Sequence, residues 1–207
     1  WLTSVTIPES VTKIGRFAFA NCSALTSITI PEGVTELGDY AFSGVTGLKS
    51  IVIPESVTSI GSMAFHGCTG LAGITVPDGV TEIGDYAFEY CSGLENITVS
   101  DGNTKYHSAG NCLIETESKT LISGCKNSVI PTDGSVTELG SYAFHGCTGL
   151  ASLTIPFGVT KLGVGAFSDC TGLTSIVIPD SVTSIGGFAF SGCIALTSAI
   201  IGKGVTR

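Results

Sequence analysis

Eight cysteines, three histidines and a regular row of carboxylates are the residues of this chain with the most chemistry in them. Cysteines pair into disulfides or hold zinc, histidines ligate metals or move protons, and convergent carboxylates hold calcium. Six of the cysteines (Cys22, Cys68, Cys91, Cys147, Cys170, Cys193) recur at one position of a repeating unit, and Val45 fills that position in another copy. A position that accepts valine asks for a small buried hydrophobe, which an unpaired thiol also is. These six are therefore expected as buried thiols. Cys125 stands where the unit has a leucine and is expected to face inward too. Cysteines on stacked neighbours would bond only with specific side-chain geometry, Cys112 to Cys125 is the first candidate for a bridge but is not expected to form one, and no C-x-x-C pair is present to begin a zinc site.

His66 and His145 share a position that elsewhere holds Ala20, Ser43, Glu89, Ser168 and Ser191, the tolerance of an exposed turn. They lie roughly 15 Å apart at ordinary strand spacing, too far to share a metal. His107 follows Tyr106 in an irregular stretch and is also expected at the surface. No nucleophile stands in a fixed relation to any of these bases, so no catalytic, cofactor or metal site is expected. The carboxylates Glu9, Glu32, Glu55, Asp78 and Asp101 occupy successive copies of one position. At ~5 Å spacing neighbours repel by roughly 0.8 kcal/mol even in water. Such a row is either a solvated edge or a site for a cation or a basic partner. Phe157 interrupts it, which makes that ring a candidate contact.

Those residues are positioned by a repeat. Leu2, Leu25, Leu48, Leu71 and Leu94 fall 23 residues apart, and after an irregular stretch the register resumes at Leu150, Leu173 and Leu196. The unit reads L-x-x-I-x-I-P-x-x-V-T-x-I-G-x-x-A-F-x-x-C-x-x. All seven prolines directly follow the I-x-I element, where a residue without an N–H closes a strand. Seven glycines (Gly15, Gly38, Gly61, Gly84, Gly140, Gly163, Gly186) follow the second apolar pair, and a reversal with φ > 0 is expected there. Seven Ala-Phe pairs come next, expected as short helical turns. Alternation places Ile28 and Ile30 on one face of a strand and Ser27 and Thr29 on the other. One such coil cannot bury its own apolar face, but stacked coils share a core. Outward rows of Ser and Thr suit strands. An aromatic row (Phe17, Tyr40, Tyr86, Tyr142, Phe188, with Met63 and Gly165 in the other copies) is a candidate interface, since Tyr and Phe are enriched in interface cores.

Bulk composition agrees. Apolar residues make up 43% of 207 and charged residues 13%, with mean hydropathy +0.46. No run approaches the ~18 apolar residues of a membrane helix, so membrane insertion is not expected. A net charge of −8 with nine Lys and Arg argues against nucleic acid as a partner. Trp1 is followed at once by repeat sequence, so no signal peptide is read, and the chain is read as a segment of a longer protein.

The V-T-x-I/L-G-x-x-A-F copies resemble the BspA-like, or treponemal-type, leucine-rich repeats over almost the whole chain. The irregular region, Asn103 to Ser108 followed by Asn111-Cys112-Leu113-Ile114-Glu115 and Lys119-Thr120-Leu121-Ile122, resembles the hairpin-bearing variant coil of that family. The resemblance implies an α/β-class leucine-rich-repeat solenoid: a β-rich right-handed coil stack with parallel strands, short helical turns and one irregular coil at about 100–135. It implies a single domain over 1–207, located extracellularly or at the cell surface. It also implies a non-enzymatic, adhesin-like function binding a protein or glycan, with a structural spacer as the alternative. The expected contacts are Tyr40, Tyr86, Tyr142, Tyr106, His107 and Phe157. Unpaired strand edges at the ends further predict end-to-end self-association.

Overall fold

The computed structural model describes residues 2–207. The chain forms two compact units, Trp1–Tyr106 and His107–Arg207, each a stack of β-solenoid coils. In the first unit the strands are β1 (Lys13–Ile14), β2 (Glu36–Leu37), β3 (Ser59–Ile60), β4 (Gly73–Val76), β5 (Glu82–Ile83) and β6 (Asn96–Val99). The V-T-x-I segments give the parallel ladder β1-β2-β3-β5, with partners 23 residues apart such as Lys13 with Glu36. The I-x-I segments give β4 with β6, and the single bridge Thr29–Val52 in earlier coils.

Four strands begin the second part of the chain: β7 (Tyr106–Ala109), β8 (Cys112–Glu115), β9 (Thr120–Ser123) and β10 (Glu138–Leu139). Five more follow: β11 (Ser152–Thr154), β12 (Lys161–Leu162), β13 (Ser175–Ile178), β14 (Ser184–Ile185) and β15 (Ser198–Ile201). The expected hairpin is β8 antiparallel to β9, with a register shift between Leu113 and Ile114. Beyond the hairpin, β9 runs parallel to β10, pairing Leu121 with Leu139. The hairpin's second strand thus takes the place that a V-T-x-I segment takes in a regular coil, and the ladder continues through β10, β12 and β14.

The Ala-Phe segments form no helix; among the described residues there is none. Their hydrogen bonds explain why. Ala41, Ser43 and Val45 N–H donate three residues back, to Gly38, Tyr40 and Phe42, whereas Tyr40, Phe42 and Gly44 N–H donate to Ser62, Ala64 and His66 of the next coil. Alternate donors therefore point along the stack, and an α-helix, which turns every N–H to residue i−4, cannot form. The geometry is reached with two left-handed residues per coil, Tyr40 (φ 55°) and Gly44 (φ 72°) in this one. The class is accordingly a β-solenoid and not α/β.

The repeated glycines also differ from expectation. Gly15, Gly38 and Gly61 do not have positive φ; the left-handed sites are the aromatic row and the second residue after Ala-Phe. Glycine is needed because coils touch there. A Cβ on Gly61 would lie 2.5 Å from Asp39 N and 2.6 Å from Gly38 C, whereas one on Gly15 would meet nothing within 4 Å.

Inside each unit the same positions are buried coil after coil. Leu25, Val34, Leu37, Phe42 and Val45 are fully buried in one, and Leu48, Val57, Phe65 and Cys68 in the next. The phenylalanines stack face to face: Phe19, Phe42, Phe65 and Phe88 have centroids 5.3–5.7 Å apart, and Phe144, Phe167 and Phe190 repeat this at 5.3 and 5.4 Å. Such pairs add roughly 0.5–1.5 kcal/mol to the burial of each ring. In denaturant titrations Gly61→Ala should lower stability by about 1–3 kcal/mol through overpacking, while Gly15→Ala should stay within about 0.5 kcal/mol of the parent. Equal effects would refute the contact account.

Candidate functional site

The glycine contact that brings coils together also leaves a trough beside it. In the first unit a groove of about 630 Å³ runs over the outward face of β1-β2-β3-β5, from Arg16 past Glu36, Asp39, Ser59, Ser62 and Glu82 to Lys105 and Tyr106. At one end the Arg16 guanidinium lies 4.7 Å from the Phe17 ring centre and 5.7 Å from that of Tyr40, and the two rings stack at 4.7 Å. Lys13 Nζ donates to Glu36 Oε2 at 2.6 Å, an exposed pair worth no more than about 1 kcal/mol. Asp39 Oδ1 accepts the Ser62 N–H at 2.9 Å, tying two coils together.

Tyr106 closes the other end. It is only 5% exposed, and its hydroxyl accepts the Ile83 N–H at 3.1 Å. It stands 23 residues after Ile83, in the inward slot of a regular coil. The expected surface ring is therefore a plug, because a tyrosine can fill an isoleucine's place only by turning its hydroxyl to a backbone partner. Asn103 sets it there, its Oδ1 accepting the Lys105 and Tyr106 N–H at 2.9 and 2.8 Å.

The remaining expected contacts are dispersed. Tyr40 is half-buried and Tyr86 exposed, both in the left-handed aromatic row of the first unit. In the second unit, Tyr142 is half-buried 5.2 Å from the His145 ring, over the space left by Gly165, where a Cβ would strike the Tyr142 ring. His107 Nδ1 sits 3.0 Å from Thr116 Oγ1 on the hairpin. Phe157 is 82% exposed. Near it a smaller groove of about 290 Å³ lies between Ser128–Thr132 and Ser152–Pro156. Val177 and Ile200 continue the outward face of β11-β13-β15, both exposed. The second unit's surface is thus apolar in patches. The first is acidic, with eleven acidic and four basic residues up to Tyr106, against six and five beyond it.

His66 and His145 are not the open turn residues expected. Each reaches a carboxylate on the next coil, Glu89 at 3.5 Å and Asp169 at 3.3 Å, because side chains in stacked turns point along the stack as the backbone does. The acidic row is exposed as expected, yet two members accept backbone N–H groups: Glu55 from Asp78 and Asp78 from Gly102. Among the described residues no three metal-ligating side chains converge, and no helix is long and apolar enough to cross a membrane.

All eight cysteines stand as thiols. Four of those in the repeat donate to the phenylalanine carbonyl of the preceding coil, Cys68 to Phe42 at 3.1 Å and Cys91 to Phe65, Cys170 to Phe144 and Cys193 to Phe167 at 3.0 Å, while Cys147, which follows the irregular coil, donates to the Gly124 carbonyl at 3.6 Å. Burial pushes the Cys68 thiol up to about 12 and Cys112 to about 11, and raises Cys91 and Cys170 as well. They are core groups, not nucleophiles.

Groove residues Arg16, Glu36, Asp39, Glu82 and Lys105 were not singled out by sequence pattern. The signal lies in the repeat register: written one repeat above another, the variable positions on either side of the I-G pair change charge in order, although no single one of them is of an intrinsically reactive type.

The chain matches the BspA-type leucine-rich-repeat region in six copies over residues 1–112 and 118–207. No curated protein matches it. It is similar to a leucine-rich-repeat protein from Eubacterium ventriosum (28% identity, TM-score 0.76, covering 98% of this chain and 61% of that one). It is similar to another from Bacteroides ovatus (32%, 0.62, covering 97% and 55%) and to the T. pallidum leucine-rich-repeat protein (28%, 0.54, covering 94% and 78%). The chain thus spans less than two thirds of the first two.

Two outcomes follow. Tyr106→Phe leaves the Ile83 N–H without its acceptor and should cost about 1–2 kcal/mol in urea unfolding; an unchanged midpoint would remove the plug. Because burial raises Cys68 above its unfolded value, the native state holds that proton more tightly. Its stability contribution is complete at neutral pH and is lost as pH rises from about 9 toward about 12. Cys68→Val should flatten the alkaline fall of the unfolding midpoint, and an equally steep fall would contradict this origin.

Proposed function

The chain belongs to the BspA-type leucine-rich-repeat family, and from that premise we propose that it is a non-enzymatic binding module of a surface or secreted protein, adhesin-like, recognising a protein or glycan. The observation that carries this reading is the contrast between inside and outside. Inward positions repeat almost unchanged, while the outward faces differ: a mixed-charge groove in the first unit, exposed apolar side chains in the second. A scaffold that only needed stiffness has no use for that difference. The irregular hairpin, with His107 and Thr116 on its outer side, further breaks the sameness. Tyr40, Tyr86, Tyr142, His107 and Phe157 are proposed as contacts, and Tyr106 as the residue that positions the groove's end.

A structural spacer is the second reading, favoured by the outward Ser and Thr rows that recur from coil to coil. An immobilised panel of host matrix proteins, mucins and microbial surfaces separates the two. A binding module gives saturable retention on at least one member, and replacing Glu115–Thr120 with a two-residue turn weakens it about tenfold or more. Absence of binding across the panel would favour the spacer.

A further inference from the structure

The outward face of the second unit contains a break in its ladder. In β11, β13 and β15 the middle residue of each I-x-I element stands opposite its copy one coil on, Thr154 with Val177 and Val177 with Ile200. Continued backwards, the row would set Thr154 opposite Val129. Instead β11 is the edge of its sheet, and among the described residues no hydrogen bond joins residues 128–130 to it. Spacing accounts for this. Ile130 and Ile155 are 25 residues apart, against 23 between Ile155 and Ile178, and the two extra residues lie in the turn from Pro131 to Val136. Past that turn the coils meet again, the Thr160 N–H donating to the Thr137 carbonyl at 2.8 Å. The groove of about 290 Å³ opens in between. In the first unit no bridge joins Val52 to Thr75 either, but the 23-residue spacing is kept there and the Ala72 N–H still donates to the Lys49 carbonyl at 3.3 Å.

The break leaves backbone groups aimed into it. The Val129 N–H turns back to the Gly110 carbonyl at 2.8 Å. In regular coils the N–H groups of Ser100 and Gly202, two residues beyond the middle of their elements, turn the same way, to Val76 and Ile178. In a strand the N–H and C=O of one residue share an edge, so Thr154 presents both to the groove. None of the eight residues lining it is charged. Val129 stands exposed in one wall, and exposed Phe157 follows Pro156 at its end.

We propose that this break takes a short, extended, uncharged segment of a partner protein, which adds to β11 as a strand. The inference rests on the binding-module reading and names its site and ligand chemistry. Two observations select the occupant. Thr154 offers a donor and an acceptor on one strand edge, the pair that the backbone of an extended chain complements, and open edges of this kind are templates for another chain. The uncharged lining excludes a ligand held by ion pairs and suits aliphatic and hydroxyl side chains. Residues 152–156 run for about 16 Å, so the segment they can pair is about five residues long.

Amide hydrogen exchange of the isotope-labelled protein, read by nuclear magnetic resonance, tests this with an acetylated and amidated Ser-Thr-Val-Thr-Val-Ser peptide. The control is the same peptide with its four central amides N-methylated. In the free protein the Thr154 N–H should exchange at least about 100-fold faster than that of Val177. The peptide should bind saturably and slow Thr154 exchange about tenfold or more, and the methylated peptide should do neither. Thr154→Pro removes a donor that the fold leaves unused, which an edge strand tolerates, and should weaken binding at least about tenfold. Val129→Lys, which leaves the backbone untouched, should weaken it as well, whereas Val52→Lys at the same repeat position of the first unit should have no effect. Slow Thr154 exchange in the free protein, no peptide binding, equal binding by the methylated peptide, or undiminished binding by Val129→Lys would each overturn the inference. A concentration-dependent dimer abolished by Val129→Lys, without peptide binding, would give the break to a second copy and overturn the partner assignment. Failure here is separable from failure of the module reading. A panel protein retained equally by Val129→Lys keeps the module and discards this break, and silence from both panel and peptide discards both.

Discussion

Every second backbone N–H of the Ala-Phe turns is satisfied only by the neighbouring coil, and the rest of the structure follows from that dependence. A donor aimed along the stack needs a carbonyl at the same place one repeat later, so insertions within a coil are costly while substitutions at outward positions are cheap. It also requires left-handed backbone at Tyr40 and its equivalents, a conformation that non-glycine residues adopt only when their surroundings hold them there. The surroundings do hold them: Phe42 is clamped between Phe19 and Phe65, and Gly38 and Gly61 let the backbones of adjacent coils meet.

The same constraint explains how an irregular coil is tolerated. The hairpin is a large departure in sequence, yet β9 offers β10 the parallel partner that a regular segment offers. Ser128, buried, accepts the Cys125 N–H and donates to the Asn111 carbonyl, so the irregular backbone leaves these groups satisfied. Tyr106 does the corresponding work in the first unit, filling an isoleucine's slot and accepting the N–H of Ile83. Hydrogen bonds are thus replaced one for one at these positions, and the edge of β11 is where they are not.

Function is left to what the stack does not use. Inward positions must repeat because each packs against its own copy, whereas outward positions see solvent and vary. The alternation of acidic, serine and basic residues along β1-β2-β3-β5 lies in that unconstrained set, and so do Phe157, Val177 and Ile200. A solenoid turns one-dimensional variation in sequence into spatial order at about 4.8 Å per repeat.

The place of the hairpin was legible through the family resemblance, whereas periodicity alone determined the repeat length, the two strand segments, the strand end at the prolines, and the buried faces of Leu25, Ile28, Phe42 and Cys68. These depend on apolar spacing, which survives any detail of backbone geometry. Only the tertiary structure decided that Ala-Phe makes no helix, that Gly61 serves close approach and not positive φ, that Tyr106 faces inward, and that His66 and His145 meet carboxylates. Each of these is settled by what the adjacent coil presents. A single repeat has the same local sequence whether its N–H groups turn back on themselves or reach for a neighbour, and the choice is made by the stack.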